Sequence, residues 1–276
     1  MSAGQFAVLG HPISHSLSPQ IHQAFARQFG LELEYRTIDA APGDFESVVR
    51  RFFAEGGRGV NVTLPHKGAA FVLADESSAA AKRAASANVL TALPDGRLAA
   101  YTTDGDGMVR DIAERHSVDL RGHTALLLGA GGAAHGVAWA MLDAGVQTLT
   151  IVNRSPEAAD ALADAIGEPE RAHTRYWEDL ANLGAFDLII NATSAGVLGK
   201  SLDLPFAIVG NRALCYDLSY GKAATGFLAW ARTAGARYAF DGLGMLVETA
   251  ADTFELWHGR RPNTDPVYAE LRKQIG

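Results

Sequence analysis

With 276 residues, 48% of them apolar, the chain has the length for one large domain or two ordinary ones and the composition for a buried core. Its 24 lysines and arginines against 31 aspartates and glutamates give a net charge of −7 with no basic run, which argues against a nucleic-acid or anionic-membrane surface. No stretch approaches the ~18 uninterrupted apolar residues of a membrane span, and the first residues, MSAGQFAVLG, carry no basic segment ahead of an apolar one. The expectation is a cytoplasmic protein with no nucleic-acid or membrane partner. The lone cysteine, Cys215, excludes an internal disulfide and a cysteine-based zinc site, and reads as a small buried hydrophobe.

Taken in order, the first third alternates apolar runs with amphipathic helices. Gln5–Gly10 reads as a strand. Ser18-Pro19 reads as a helix cap followed by proline at the first helical position, and Ile21, Phe25 and Phe29 then recur every four residues until Gly30. Residues 33–38 form a second strand. Asp44 caps the next helix, whose apolar face is Phe45, Val48, Val49, Phe52 and Phe53 and which stops at Gly56-Gly57. Residues 58–63 make a third strand running into Leu64-Pro65-His66-Lys67. Residues 87–101 suggest a hairpin turning at Asp95-Gly96.

Beyond Thr102-Thr103-Asp104-Gly105 the pattern becomes regular βα repetition. Strands are expected at 125–128, 149–153, 188–191, 214–217 and 237–240, with helical segments between them, so the fold class is α/β with a doubly wound parallel sheet. Residues 242–258 read as a long helix with Leu246, Ala250, Phe254 and Trp257 on one face, and Thr264-Asp265-Pro266 opens a short final one. The pattern places a domain boundary near 105–107 and a return to the first domain near 242.

Three stretches carry chemistry. The first is HTALLLGAGGAAHGVAWA, a strand, a glycine turn and a helix. Gly129, Gly131 and Gly132 fall where a βα turn must bend and admit a phosphate, Ala134 falls at the third small position of a dinucleotide fingerprint, and the helix start supplies free amides. A tight structural turn would use the same residues. The second is Asn153-Arg154-Ser155, at the end of the following strand. An acid there suits NAD, whereas the Arg154 guanidinium suits the 2′-phosphate of NADP. An exposed arginine beside a helix cap is the alternative.

The third is Asn61-Val62-Thr63-Leu64-Pro65-His66-Lys67, which delivers Thr63 and Lys67 to the end of a strand. A lysine locked to an acid and a substrate hydroxyl can move the proton that accompanies hydride transfer, but taken alone Lys67 reads as a solvated lysine after a proline turn. Asp104, taken alone, reads as the N-cap of a helix from Asp106 onward. The run from Gly10 to Pro19 gathers hydroxyls and imidazoles suited to a polyhydroxylated or carboxylated small molecule. With no HExxH pattern beside His11, His15 and His22, no metal is expected.

Together these stretches resemble the shikimate dehydrogenase family over essentially the whole chain. The segments are GHPISHSLSP, NVTLPHK, the region of Asn88, TTDG, LLLGAGGAA, VNRS, NATSAG, YDLSY, and DGLGML followed by LWHG. The resemblance implies reversible NADP-linked oxidation of shikimate to 3-dehydroshikimate. It also implies an α/β substrate domain, 1–104, completed by the C-terminal helices of 242–276, and a Rossmann-type NADP domain, 105–241. Carried over by position, it makes Lys67 and Asp104 the catalytic pair, reversing the isolated reading of both. Ser16 and Ser18 would hold the substrate carboxylate, and Thr63, Asn88 and Tyr220 would place the ring and its hydroxyls. Gly129, Ala130, Gly131, Gly132 and Ala133 would form the pyrophosphate turn. Asn153, Arg154 and Ser155 would form the 2′-phosphate pocket, and Thr193, Gly242 and Met245 would approach the nicotinamide. The small-molecule partner would be shikimate or a close analogue, taken up by a monomer or homodimer.

The chain also departs from the family pattern. It has Val89 and Thr102 where the family carries Thr and Asn, and Thr249 where a glutamine normally touches substrate. Losing that amide removes a hydrogen bond of about 0.5–1.5 kcal/mol. A relative preferring quinate or another cyclic hydroxy acid, and a dinucleotide sensor without turnover, are therefore the competing readings.

Overall fold

The computed structural model describes residues 4–275. Two six-stranded sheets, one from each half of the chain, carry the architecture. The first contains β1 (Gln5–Gly10), β2 (Glu34–Asp39), β3 (Gly57–Val62), β4 (Glu76–Ser77), β5 (Val89–Ala92) and β6 (Leu98–Tyr101), in the spatial order β2-β1-β3-β5-β6-β4. Strands β1, β2 and β3 are parallel, while β5 runs antiparallel to both β3 and β6 in the hairpin about Asp95-Gly96. Helices α1 (Ser18–Gln28), α2 (Phe45–Ala54), α3 (Lys67–Leu73) and α4 (Ala79–Ala84) connect these strands. The helical spacing of Phe45, Val49 and Phe52 puts all three into one core with Leu9, Val60 and Val62.

Helix α5 (Asp104–Arg110), continued by the π-helical turn Asp111–Arg115, leads into the second half. There β7 (Thr124–Leu128), α6 (Gly132–Asp143), β8 (Thr148–Val152), α7 (Pro156–Ile166), β9 (Ala172–Arg175), β10 (Phe186–Asn191), β11 (Val209–Asp217), α8 (Thr225–Thr233) and β12 (Tyr238–Asp241) follow in turn. All six strands are parallel, in the order β12-β11-β10-β7-β8-β9. The order of strand addition reverses between β7 and β10, and a doubly wound fold takes its ligand outside the carboxyl ends of the strands at such a point. Helices α9 (Leu243–His258) and α10 (Asp265–Ile275) then return to the first half, where Val247, Phe254 and Leu271 share a core with Ile21 and Phe25 of α1.

Four local expectations are corrected. Ser18 is the first residue of α1 rather than its cap: Leu17 holds the cap position, and the Ser16 hydroxyl accepts the Ser18 N–H at 3.3 Å. Helix α5 begins at Asp104 behind Thr103, so Asp104 does not cap a helix from Asp106; its carboxylate is engaged elsewhere. Asp44 does precede α2, but its side chain makes no capping bond. Strand β9 was not expected at all. Only Ala172 of its four residues is buried, so this edge strand lacks the alternation that reveals a strand.

His22 of α1 is fully buried, stacked on Tyr35 at 4.3 Å and surrounded by Phe25, Phe254 and Trp257, and neither ring nitrogen has a hydrogen-bond partner. Burial, aided by neighbouring His258, holds its pKa down to about 3 from 6.5. Below about pH 6.5 the unfolded chain therefore binds a proton that the folded chain refuses, and stability falls with pH over that window down to about 3. Urea denaturation at pH 7 and pH 5 should show His22→Phe reducing the loss of stability between the two by about 2 kcal/mol relative to the parent. Equal losses in both proteins would show that His22 does not carry this acid sensitivity.

Candidate active site

Sheet topology assembles the polar centre. Because β5 is antiparallel to both β3 and β6, the residues after β3, before β5 and after β6 meet at one end of the sheet. These are Lys67, Asn88 and the pair Thr103-Asp104. Lys67 Nζ donates to Asp104 Oδ2 at 2.5 Å, with the two side chains only 14% and 6% exposed. Asn88 Nδ2 donates to the other Asp104 oxygen at 3.2 Å and to Thr103 Oγ1 at 3.0 Å, while Asn88 Oδ1 accepts the Thr103 N–H at 2.9 Å. A buried ion pair whose carboxylate is also held by an amide has a fixed geometry, and it is far from the solvated lysine that Lys67 suggests in isolation.

The wall beyond this pair comes from two loops and α9. Thr63 follows β3 and lies against Gly10, where a Cβ would approach its methyl group to 2.5 Å. Ser16 and Ser18 stand at the start of α1, and the Tyr35 hydroxyl beside them donates to Asn61 Oδ1 at 2.7 Å. Tyr220 packs with Leu17 of that loop against one core, and burial raises its pKa. Thr249 on α9 is buried, and its hydroxyl is turned toward α5, donating to the Thr103 carbonyl at 3.5 Å. Helix α9 is fixed there by ion pairs from Arg115 to Glu248 and from Arg110 to Asp252, at 2.7 and 2.8 Å. His11, by contrast, pairs at the surface with Asp39 at 3.1 Å.

The second half contributes the other wall. Gly129 adopts φ +108° just after β7, and a Cβ there would lie 3.0 Å from the Ala192 carbonyl beyond β10; the turn needs glycine on both counts. Ala130 is partly buried, Gly131 faces open space, and Gly132 and Ala133 open α6 without any side-chain cap, leaving its first-turn amides available to an anion. Asn153, Arg154 and Ser155 follow β8: Asn153 Nδ2 donates to the Ser155 carbonyl at 3.0 Å, and Arg154 is exposed with no ion pair among the described residues. Thr193 is anchored by both its N–H and its hydroxyl to Asn191 Oδ1, at 3.1 and 2.7 Å. Gly242 packs on the Leu218 carbonyl, and the Met245 N–H donates to the Tyr216 hydroxyl at 3.3 Å. Open amides at the turn, a free guanidinium one strand over and anchored polar residues at the switch point fit a phosphorylated dinucleotide.

Several contributors escaped the sequence reading. Thr103 ties Asn88 to the Thr249 carbonyl, and Ser86 donates across the cleft to the Gly132 carbonyl at 3.0 Å. Asp217, buried at the end of β11, accepts from Asn191 Nδ2 and the Ser219 N–H, and burial raises its pKa to about 6. Thr103 and Asp217 lay within quoted motifs, TTDG and YDLSY; Ser86 has no sequence signal beyond its place at an element's end. Among the described residues no cluster of three or more His, Cys, Asp or Glu could hold a metal.

A buried lysine–aspartate pair in one half and a doubly wound parallel sheet with an open glycine turn in the other are the parts of a two-domain dinucleotide-linked oxidoreductase. Family models agree in detail: the shikimate dehydrogenase substrate binding domain matches residues 8–90, shikimate / quinate 5-dehydrogenase matches 111–198, and the shikimate 5′-dehydrogenase C-terminal domain matches 242–272. Shikimate dehydrogenase (NADP(+)) of Xylella fastidiosa strain M12 is 55% identical over 278 residues, covering 100% of this chain and 98% of that one. Among solved structures, an Ael1 enzyme from Pseudomonas putida superposes with a TM-score of 0.88 at 43% identity, covering 98% of each chain. Shikimate 5-dehydrogenase from Thermus thermophilus, in complex with NADP(H) and shikimate, gives 0.84 at 32% identity, covering 98% of this chain and 99% of that one. The chain belongs to the shikimate dehydrogenase family.

Proposed function

We propose that this protein catalyses the reversible oxidation of shikimate to 3-dehydroshikimate with NADP. The observation that carries the reading is the Lys67–Asp104 pair, closed at 2.5 Å and nearly dry, beside the uncapped start of α6. In oxidation the pair would take the proton of the reacting hydroxyl, and NADP, when bound, would supply the acceptor for the hydride from its carbon; in reduction hydride and proton would both return. Asn88 keeps Asp104 in place by donating to the oxygen that Lys67 does not use. Ser16 and Ser18 offer hydroxyls to the substrate carboxylate, with Thr63 and Tyr220 beside them and Thr249 bounding the pocket on the α9 side. The first-turn amides of α6 and the turn 129–133 receive the pyrophosphate, and Asn153, Arg154 and Ser155 the 2′-phosphate. Thr193, Gly242 and Met245 border the nicotinamide end of the crevice.

On this reading residues 1–104 with 242–276 form the substrate domain and 105–241 the NADP domain, and the enzyme works in the cytoplasm as a monomer or homodimer. No helix among the described residues is long and apolar enough to cross a membrane. Purified protein given shikimate, quinate and other cyclic hydroxy acids, each with NADP and with NAD, should form reduced cofactor fastest with shikimate and NADP, judged by kcat/KM. A higher kcat/KM for quinate would move the assignment to the other named substrate of the family model, and cofactor binding without turnover on any acid would sink it.

A further inference from the structure

Helix α6 is read above only as the carrier of the phosphate-binding amides. Its second turn touches the opposite half of the site. Gly136, buried in mid-helix, faces Asp104 directly: a Cβ on Gly136 would lie 3.2 Å from Asp104 Cβ, 3.4 Å from Oδ2 and 3.5 Å from Thr102 Oγ1. Oδ2 is the oxygen that holds Lys67 Nζ. One turn earlier, a Cβ on Gly132 would lie 3.0 Å from Lys67 Cβ. Gly136 has ordinary helical backbone with no positive φ, so nothing in its conformation calls for glycine, and alanine is the better helix former at such a position.

The pressure of an added methyl could not be relieved by moving α5. On one side a Cβ on Gly105 would come within 2.5 Å of both Ala140 Cβ and the Gly136 carbonyl; on the other, a Cβ on Gly107 would come within 2.3 Å of Thr249 Oγ1. Helix α5 is thus wedged backbone-close between α6 and α9, and α9 is itself pinned by Glu248 and Asp252. The contact that must give, by a few tenths of an ångström, is that with Asp104 Cβ, which carries the carboxylate with it; Oδ2 and Thr102 Oγ1 would remain at ordinary van der Waals distance.

We infer that Gly136 is a positioning residue for the proton-transfer pair: the bare flank it gives α6 sets where Asp104 holds Lys67, so the helix that receives the cofactor also gauges the catalytic ion pair. The inference rests on the reading of Lys67 and Asp104 under Proposed function. Its test is Gly136→Ala in the full-length protein, assayed for shikimate oxidation by NADP, with the NADP dissociation constant read separately by fluorescence. The expected result is a fall in kcat of about threefold to tenfold, the scale of a misplacement by a few tenths of an ångström, with NADP affinity unchanged. Gly136→Ser should lose more than Gly136→Ala, and Gly226→Ala, at a helical glycine of α8 with nothing within 4 Å of a would-be Cβ, should lose nothing.

An unchanged kcat in Gly136→Ala would overturn the inference, and so would parallel losses of kcat, NADP affinity and thermal midpoint, which would mark a displaced helix rather than a displaced carboxylate. Lys67→Ala separates this from the underlying reading: if it retains full activity the assignment of the pair fails, whereas if it is inactive and Gly136→Ala is not, only the role of Gly136 fails.

Discussion

Lys67→Ala lowers kcat for shikimate oxidation by about 10²–10⁴-fold and leaves the NADP dissociation constant unchanged, because positioned proton transfer contributes that much and the Lys67 ammonium is turned to Asp104 rather than to the turn at 129–133. The loss has a structural companion. Asp104, 6% exposed, keeps only the Asn88 amide once its cation is removed, and a buried carboxylate stripped of its partner destabilises a fold by about 3–5 kcal/mol. Asp104→Asn alone leaves the Lys67 ammonium unpaired instead, so the variant that separates the two effects is the double one, Lys67→Ala/Asp104→Asn, in which neither charge remains. The pair should also behave as a unit: the double variant Lys67→Ala/Asp104→Asn should be scarcely slower than the worse single variant. Steady-state rates with urea denaturation on all three proteins decide the matter, and fully additive rate losses would mean that the two side chains act separately.

Arg154→Ala raises KM for NADP by about 10–100-fold and leaves KM for NAD where it was, since a charge-assisted hydrogen bond is worth about 1.5–3 kcal/mol and each 1.4 kcal/mol is tenfold. Arg154 is exposed, so its attraction for a phosphate is open to screening by salt. Raising ionic strength should therefore weaken NADP binding to the parent more than to the variant. Both KM values rising together would place Arg154 at a part of the nucleotide common to the two cofactors.

How legible the site is in the sequence depends on how far its parts lie apart along the chain. The turn at 129–134 and Arg154 are local signals, a bend that needs glycine and a strand end that lacks an acid, and both can be read without knowing any neighbour. Lys67 and Asp104 cannot. They are 37 positions apart and meet only because the hairpin of β5 and β6 carries the chain back beside β3, so each has a plausible bland role in isolation. Only the resemblance to a known family paired them. Gly136 was illegible for a related reason: a glycine in an apolar helix looks like a weakness until the carboxylate opposite is seen. Strand β9 and the true start of α1 were missed on purely local grounds, one because an edge strand need not alternate, the other because Ser16 and Ser18 can both donate and accept at a helix start and the sequence does not say which one does.

The return of α9 and α10 to the first half means that the backbone passes between the two halves twice, once through α5 and once at Gly242. Bodies joined by a single tether can swivel; joined at two points, they can only swing about the line through both. The first of those points is Asp104's own helix, so its carboxylate lies where the backbone crosses from one half to the other.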